Sequence, residues 1–549
     1  MGDGRIGFRG RLPTFTLAVG VTAGMLVAGL GFPFIFGHAQ IGLAGGGSTQ
    51  LNFAGEGPGE GPGAGPGAGS AAAGSSASGA NLGASSTGGT SGGGASSLGA
   101  LGTLSGPGGG SSLGGPGGSS TSLLGGPTTG PVATLAGGRT LTASDRGVTA
   151  TGIKVGVTIL DLGGVGQLGV SLPGYSPAHQ EQIWTGYFNE LNKKGGIDGR
   201  KVEPVFQDYD ITNDDSMQAA CIALAQDDKV FAVLDTSGFM GAPLLCLTQQ
   251  NATPVLTVGE LGTPDSFYSE SNGYLFTLHA RGSRQMKNMA TVIARTGALK
   301  GKTVGVLAEQ GLGFDQTYAT LQSTLASLGY PETYQYELSS DTGTAASQMP
   351  VAVSEMLAHH VNAVFLTANL IFDEEFADAA QAEDYAPSYF TSDWGTGENI
   401  SGAPSSFNGA LAVTETDAFD WNEGLPQPTY DAQCQQRGTA DSGYVWDASN
   451  SESVNHPADM RDCSLVDLFT RAATQAGPDL TRAGFVAAMQ RLGNVPVATF
   501  PPYGTFGPGK PDAADFVRID QYQSNRNCGA ASTTPGCFYP VTQFVKAPY

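Results

Sequence analysis

From residue 153 onward, the sequence alternates short apolar runs with longer stretches whose apolar residues recur at helical spacing. The first run covers residues 153–160, and the stretch at 178–194 that follows it places Trp184 and Phe188 on one apolar face. The alternation continues with strand-like runs at 201–207, 230–234 and 254–258 and with helical stretches at 214–226 and 242–250. Strands that alternate with helices form a parallel sheet covered by helices. The pattern therefore predicts an α/β fold.

The same alternation restarts at residues 302–307, which predicts a second α/β unit. The predicted elements that follow are helices at 314–328, 344–358 and 373–381, strands at 332–338, 361–367, 388–391 and 409–413, and helices at 464–476 and 480–492. A loop-rich tail completes the chain. We predict two lobes, each a parallel sheet flanked by helices, with residues 150–277 and 403–500 in lobe 1 and residues 278–402 and 501–549 in lobe 2.

Ahead of this folded part, residues 41–140 consist mainly of Gly, Ser, Pro, Ala and Thr. This composition offers too little apolar surface to offset the entropy lost on ordering, so we predict a disordered linker. The chain's 84 glycines are concentrated before residue 140. Roughly 400 residues are then left to bury a core, which is enough for two lobes.

Residues 1–40 contain an apolar run without charged residues, from residue 12 to about residue 37. Arg5, Arg9 and Arg11 precede it, and because such basic residues stay in the cytoplasm, we expect the rest of the chain to be exported. About 25 apolar residues suffice to span a bilayer, which favours a retained membrane anchor. A cleaved signal segment, which would release a secreted protein, is the alternative.

Charge and cysteine content narrow the partners and the compartment. The net charge of −22 would repel phosphate backbones, which argues against nucleic acid as a partner. Six cysteines, all beyond the linker, fit an oxidising compartment and disulfide bonds, although sequence alone does not choose their pairing. Sequence order suggests the pairs Cys221 with Cys246, Cys434 with Cys463, and Cys528 with Cys537.

Motifs that would indicate chemistry are weak in this chain. Residues 164–169 fit a GxGxxG pattern, but Pro173 and Pro177 interrupt the path to the helix that a dinucleotide site needs. Glu355, His359 and His360 do not form an HExxH motif, and we interpret them as a solvated helix end. Because no nucleophile motif, phosphate loop or metal-ligand cluster stands out, we expect no enzyme activity, cofactor or metal.

One glycine-containing segment carries a family resemblance. Residues 192–202, which read Asn-Lys-Lys-Gly-Gly-Ile-Asp-Gly-Arg-Lys-Val, resemble the N-terminal signature of the leucine/isoleucine/valine-binding branch of type I periplasmic binding proteins. The likeness continues through residues 207–210, 235–238 and 253–259 and covers about residues 150–520.

The resemblance implies a monomeric, extracytoplasmic solute-binding protein that works with the permease subunits of an ABC importer. A hinge would close its two lobes over a small-molecule ligand, namely an amino acid of branched-chain type or a similar small polar compound. A ligand-sensing ectodomain that acts with a separate membrane signalling partner is the alternative function.

In lobe 1, the resemblance places ligand contacts after two predicted strands, where loops and helix N-termini present unpaired N–H groups. The first group would hold a ligand carboxylate, and the second would contact an α-ammonium group. The candidates are Thr236, Ser237 and Gly238 in the first group and Gly259, Glu260 and Thr263 in the second.

In lobe 2, the resemblance places Leu312 and Gly313 in a loop where many relatives carry an aromatic residue that packs on the ligand. Asn369 and Asp393 each follow a predicted strand, and Asp393 is the expected partner of the ligand's ammonium group. Trp394 would provide an apolar wall with one hydrogen-bond donor. A zwitterionic ligand would then find oppositely charged partners in opposite lobes.

Overall fold

The computed structural model describes residues 140–162, 175–211, 213–236, 238–259, 262–340, 344–400, 402–449, 455–527 and 535–549. The predicted N-terminal membrane segment, the linker up to residue 139 and the 164–169 glycine motif lie outside the described residues, as do Ser237 and Glu260. Within the described ranges, no helix combines the length and the apolar character needed to cross a membrane.

The first sheet contains five parallel strands in the order β2-β1-β3-β4-β5. Its strands are β1 (Gly152–Asp161), β2 (Lys201–Asp210), β3 (Ala232–Asp235), β4 (Val255–Thr257) and β5 (Leu275–Thr277). The central strands are apolar and buried along their whole length, as expected for a sheet covered on both faces.

Four helices follow the strands of the first sheet: α1 (Pro177–Lys193), α2 (Asp214–Ile222), α3 (Gly241–Leu245) and α4 (Asp265–Glu270). Side chains cap the first two, since Ser176 Oγ accepts from His179 N and Asn213 accepts from the first turn of α2. Helices α2 and α3 each continue as a π-helical turn, at Ala223–Asp227 and Cys246–Gln250. Sequence analysis predicted each of these as one continuous helix.

The second sheet has the strand order β14-β13-β10-β9-β8-β6-β7, with β15 also paired to β13. Its parallel strands are β6 (Val304–Glu309), β7 (Thr333–Leu338), β8 (Ala363–Leu366), β9 (Ser388–Ser392) and β10 (Leu411–Thr414). Its antiparallel strands are β13 (Phe516–Asn527), β14 (Pro535–Pro540) and β15 (Val545–Lys546). The helices of this part are α5 (Gly282–Thr296), α6 (Phe314–Ser327), α7 (Ala345–Ala358) and α8 (Leu370–Ala382).

The remaining elements return to the first sheet. They are α9 (Thr429–Ser442), α10 (His456–Ala476), α11 (Arg482–Met489) and the hairpin of β11 (Gly493–Val495) and β12 (Gly504–Phe506). Phe469 and Phe485 from this return pack with Trp184 and Phe231 in one buried cluster. The chain therefore passes between the lobes three times: between β5 and α5, between β10 and α9, and between β12 and β13.

The structure confirms the predicted α/β fold of parallel sheets flanked by helices and corrects two details. Strand β10 falls in the range 403–500 that the sequence analysis assigned to lobe 1, but it pairs with β9 and β13 of the second sheet. The tail, predicted to be loop-rich, contributes β13 and β14 to that sheet. Alternation of strands and helices does not indicate which sheet a strand joins after a long connection.

Disulfide bonds close two loops of the first lobe. Cys221 is bonded to Cys246 and Cys434 to Cys463, which confirms two of the three pairs that sequence order suggested. Cys537 is also disulfide-bonded, whereas Cys528 lies outside the described residues. The two confirmed bonds tie α2 to the turn after α3, and α9 to α10.

Candidate ligand cleft

A pocket opens between the lobes, at the ends of the strands where α/β proteins bind their ligands. Its volume is about 180 Å³, below the roughly 300–1,000 Å³ of pockets that bury drug-sized ligands, so it suits a small solute. Met217, Met240 and Phe267 line it from the first lobe, and Leu312 and Phe314 line it from the second. Four of these side chains are buried or half-buried, and Leu312 is 54% exposed.

The pocket wall is predominantly apolar. Its polar groups, Asp214, Asp215 and Gln218, belong to the first turns of α2. The N–H groups of Asp215 and Ser216 donate to the Asn213 side chain, so this helix end is already capped. A ligand in this pocket would therefore meet thioether, aromatic and aliphatic surface, with carboxylates at the rim.

A smaller cavity of about 20 Å³ adjoins the pocket through Met240, which lines both. Gly238, Gly259 and Thr263, three of the predicted ligand residues, line this smaller cavity together with Gly262. The structure thus brings together the loops after β3 and β4, as the resemblance implied. Leu312 lines the larger pocket instead.

Thr236 lies beside these loops, but its hydroxyl is engaged within the first lobe. The hydroxyl donates to Asp462 of α10, and the residue is only 3% exposed. Burial raises the pKa of Asp462 well above its usual range, and the neighbouring Asp459 adds to the effect. Thr158 and Thr257 donate in the same way to the buried Asp235, each at 2.7 Å. Several hydroxyls at this sheet edge therefore satisfy buried carboxyl groups.

Trp394 lies where the two lobes touch. Gly262 of the first lobe has a positive φ of 84°, and a Cβ there would lie 2.5 Å from Cε3 of the indole. Phe314 packs edge-on against the same ring at 4.9 Å. With an exposure of 1%, Trp394 fills the contact between the lobes. Gly313 makes a second close approach, because a Cβ there would lie 2.3 Å from Ser266 Oγ.

Asp393, the expected ammonium partner, is buried at the segments that connect the lobes. Its carboxylate accepts hydrogen bonds from Thr414 Oγ1 at 2.6 Å and from the Glu415 backbone N–H. His279 Nδ1 lies 3.9 Å from its Oδ2. Burial raises the pKa of Asp393 to about 6, although His279 acts in the opposite direction. Asp393 does not line the interlobe pocket.

Asn369 has a structural role in the second lobe. Its side-chain oxygen caps α8 by accepting from the N–H groups of Ile371 and Phe372. Its amide nitrogen and backbone N–H both donate to Glu309 Oε2 at 2.9 Å. Burial raises the pKa of Glu309 to about 8, although these hydrogen bonds lower it.

Sequence reasoning missed most of the pocket wall. Met240, Phe267 and Phe314 follow strand ends that the resemblance singled out, whereas Met217 follows β2, for which no ligand residue was predicted. The available signal was their composition, because methionine and phenylalanine side chains build adaptable apolar binding surfaces. It also missed His279 and Glu415, which together with Asp393 form a buried group able to hold a metal ion.

Comparisons with known proteins agree with this architecture. A family profile described as periplasmic binding protein matches residues 185–515. Among curated protein sequences, none matches the chain.

Solved structures share the fold at low sequence identity. A fatty acid ABC transporter substrate-binding protein from Thermomonospora curvata aligns with TM-score 0.53 and 16% identity over 76% of this chain and 97% of its own. A periplasmic binding protein type 1 from Bordetella pertussis aligns with TM-score 0.51 and 16% identity over 71% and 100%. A solute-binding protein of an ABC transporter from Rhodopseudomonas palustris, in complex with p-hydroxybenzoic acid, aligns with TM-score 0.52 and 14% identity over 72% and 97%.

Proposed function

Because the chain belongs to the periplasmic binding protein family, we propose that it is the extracytoplasmic solute-binding component of an ABC importer. In this role it would enclose a small ligand between its lobes and deliver it to the permease subunits. The pocket between the lobes carries the proposal, since both lobes contribute to its wall. The three connecting segments would act as the hinge.

The ligand we propose is a small organic compound with an apolar body, and branched-chain amino acids belong to this class. The pocket wall of Met217, Met240, Phe267 and Phe314 favours such a body. Burying one leucine-sized side chain contributes about 1.5–3 kcal/mol. We therefore expect leucine to bind at least about tenfold more tightly than alanine, since about 1.4 kcal/mol corresponds to a factor of ten.

Asp393 is already engaged and does not face the pocket as a partner for the ammonium group of an amino acid, because it accepts hydrogen bonds from Thr414 and Glu415. A buried charge without a partner costs several kcal/mol. The matched ligand pair of leucine and 4-methylpentanoate, which lacks the amino group, separates the two contributions. We expect both to bind, because they share the apolar body that the pocket wall favours.

Calorimetric titration of the purified full chain tests this proposal. The panel should contain leucine, isoleucine, valine, alanine, 4-methylpentanoate, p-hydroxybenzoate and medium-chain fatty acids. Binding of leucine but not of 4-methylpentanoate would show that contacts to the ammonium group dominate. It would support the prediction that Asp393 binds the ammonium group of an amino acid. Silence across the whole panel would contradict capture of apolar-bodied solutes.

A further inference from the structure

Three side chains capable of binding a metal meet at the segments that connect the lobes. His279 lies between β5 and α5, Glu415 directly follows β10, and Asp393 directly follows β9. One ligand atom from each lies within 4.8 Å of the others. His279 Nδ1 is 3.2 Å from Glu415 Oε2 and 3.9 Å from Asp393 Oδ2. We call these three residues the hinge triad.

These distances fit a shared metal ion closely. Zinc binds imidazole nitrogen and carboxylate oxygen at about 2.0–2.2 Å, so two ligand atoms on a tetrahedral ion lie about 3.3–3.5 Å apart. The separation of 3.2 Å between His279 and Glu415 is already near this value, that of 3.9 Å to Asp393 needs a shift of about half an ångström, and every pair lies within 4.8 Å, so the widest pair closes by at most about 1.5 Å. Small side-chain movements would complete the coordination.

The charge of the hinge triad also favours a divalent cation. Both carboxylates are buried, with side-chain exposures of 1% for Asp393 and 5% for Glu415, and the His279 side chain is 1% exposed. A protonated imidazole would balance only one of the two negative charges. A divalent cation with a neutral imidazole balances both, and buried charges are stable only when they are compensated.

Backbone groups already orient the two carboxylates. The N–H of Ala280 donates to Glu415 Oε2 at 3.0 Å, and the N–H of Glu415 donates to Asp393. Thr414 Oγ1 holds the other oxygen of Asp393. Carboxylates that bind metals in proteins are usually held by hydrogen bonds of this kind, which fix their direction and raise their affinity.

A small cavity beside the triad supplies an independent observation. Its volume is about 10 Å³, roughly the room of one water molecule, and it is lined by Asp393, Glu415, Gln285 and Asn288. Gln285 is 3% exposed, and its Oε1 has no hydrogen-bond partner among the described residues, although its amide nitrogen donates to Ala280 O. A buried amide oxygen of this kind suits a water bound to the fourth coordination position of a metal ion.

We propose that the hinge triad is a structural zinc site that ties two of the connecting segments together. The site would hold one Zn²⁺ per chain through His279 Nδ1, Asp393 and Glu415, with a water in the cavity beside Gln285. Thiolates do not compete for the ion, because the described residues include no free cysteine. The proposal does not depend on which solute the pocket binds. It also explains why Asp393 is held away from that pocket.

Titration of chelator-treated full-length protein with ZnCl₂ tests the site. We expect binding of one equivalent, a rise in the unfolding temperature with free zinc, and four-coordinate absorption bands when Co²⁺ replaces Zn²⁺. His279→Gln and Glu415→Gln should each weaken zinc binding by at least about tenfold, as loss of even an indirect metal partner does. Circular dichroism establishes whether each variant is folded. If one of the two variants fails to fold, the other still tests the site.

His359→Gln provides the matched control. His359 lies 3.9 Å from Glu355 on the exposed end of α7 and is the alternative imidazole–carboxylate pair at the surface. Its loss should leave the bound equivalent unchanged. The proposal is wrong if the wild-type protein binds no zinc equivalent, or if His279→Gln and Glu415→Gln bind zinc as tightly as the wild type does.

Discussion

The interlobe pocket and the hinge both lie where the two lobes meet, but they are built from opposite chemistry. The pocket wall consists largely of Met, Phe and Leu side chains. At the hinge, Arg284 donates to the buried Asp512 at 2.6 Å, and His279 faces Glu415 and Asp393. Charged residues at this interface thus hold the connecting segments, whereas the surface that would meet a solute is apolar.

A third group of ionisable residues, Glu309 and Asp373, lies under the pocket. Glu309 is the last residue of β6, just before the loop that carries Leu312. Its carboxylate accepts two hydrogen bonds from Asn369. Burial raises the pKa of the neighbouring Asp373 well above its usual range, and the carboxylate of Glu309 raises it further. The hinge acids have cationic or imidazole partners, and the acid under the pocket has an amide partner. The stability contributed by the hinge and that contributed by the region around Glu309 should therefore respond differently to mutation and to pH.

The largest expected effect is at the hinge. Asp512→Ala removes the partner of the Arg284 guanidinium and of the Arg281 backbone N–H. Breaking a buried ion pair costs about 3–5 kcal/mol when the remaining charge is left uncompensated, and because Arg284 keeps Asp515 at 3.4 Å, we expect the lower end of this range. Chemical denaturation measures this loss. The control is Lys193→Ala, which breaks an exposed pair with Asp441 and should cost less than about 1 kcal/mol. Equal losses of unfolding free energy in the two variants would contradict the claim that the buried ion pair contributes more than the exposed one.

Part of the pH dependence of stability should arise from Glu309, under the pocket. Because burial raises the pKa of Glu309 from 4.5 to about 8, the folded protein binds a proton there that the unfolded chain releases. This contribution to stability is present below about pH 4.5 and is lost as pH rises towards 8, by up to about 1.4 kcal/mol per pH unit. Glu309→Gln mimics the protonated acid and should reduce that loss.

Denaturation of Glu309→Gln at several pH values between 4.5 and 8 checks this prediction. Glu337→Gln is the matched control, because Glu337 is exposed on the neighbouring strand β7. If the stability of Glu309→Gln depends on pH as that of the wild type does, the Glu309 carboxyl does not contribute to the pH dependence.

The smallest expected effect is on binding at the pocket rim. Leu312→Asp places a charge in the apolar wall, but Leu312 is 54% exposed, so the stability of the fold should change by less than about 0.5 kcal/mol. Affinity for an apolar-bodied ligand should fall about tenfold, as one lost apolar contact predicts. Leu328→Asp, at the C-terminal end of α6 and 37% exposed, is the matched control and should leave affinity unchanged.

Much of the fold was predictable because strands and helices carry local signals. The predicted helix at 178–194 and strand at 201–207 correspond to α1 and β2 within a few residues. Helix α9 was missed because it lacks an apolar stripe: its buried residues are Asp431, Cys434 and Gly438. Its place in the fold depends on contacts with α1 and on the Cys434–Cys463 bond, which are not local in sequence.

The site was predictable only in part, for the same reason. Strand ends indicated the loops of Gly238, Gly259 and Thr263, which do line a common cavity. The hydrogen-bond partners of the polar candidates were not predictable, because Thr236 meets Asp462 only after the chain has passed to the second lobe and back, and Asp393 meets Thr414 only once β9 and β10 have paired. Whether the cavity residues contact a ligand stays a prediction.

A crystal structure of the chain with the tightest ligand from the calorimetric panel tests the central claim most directly. We predict that the apolar body of the ligand lies against Met240 and Phe267 of the first lobe and Phe314 of the second, with Asp393 still bonded to Thr414. Ligand density in direct contact with the Asp393 carboxylate, or outside the interlobe pocket, would contradict the account.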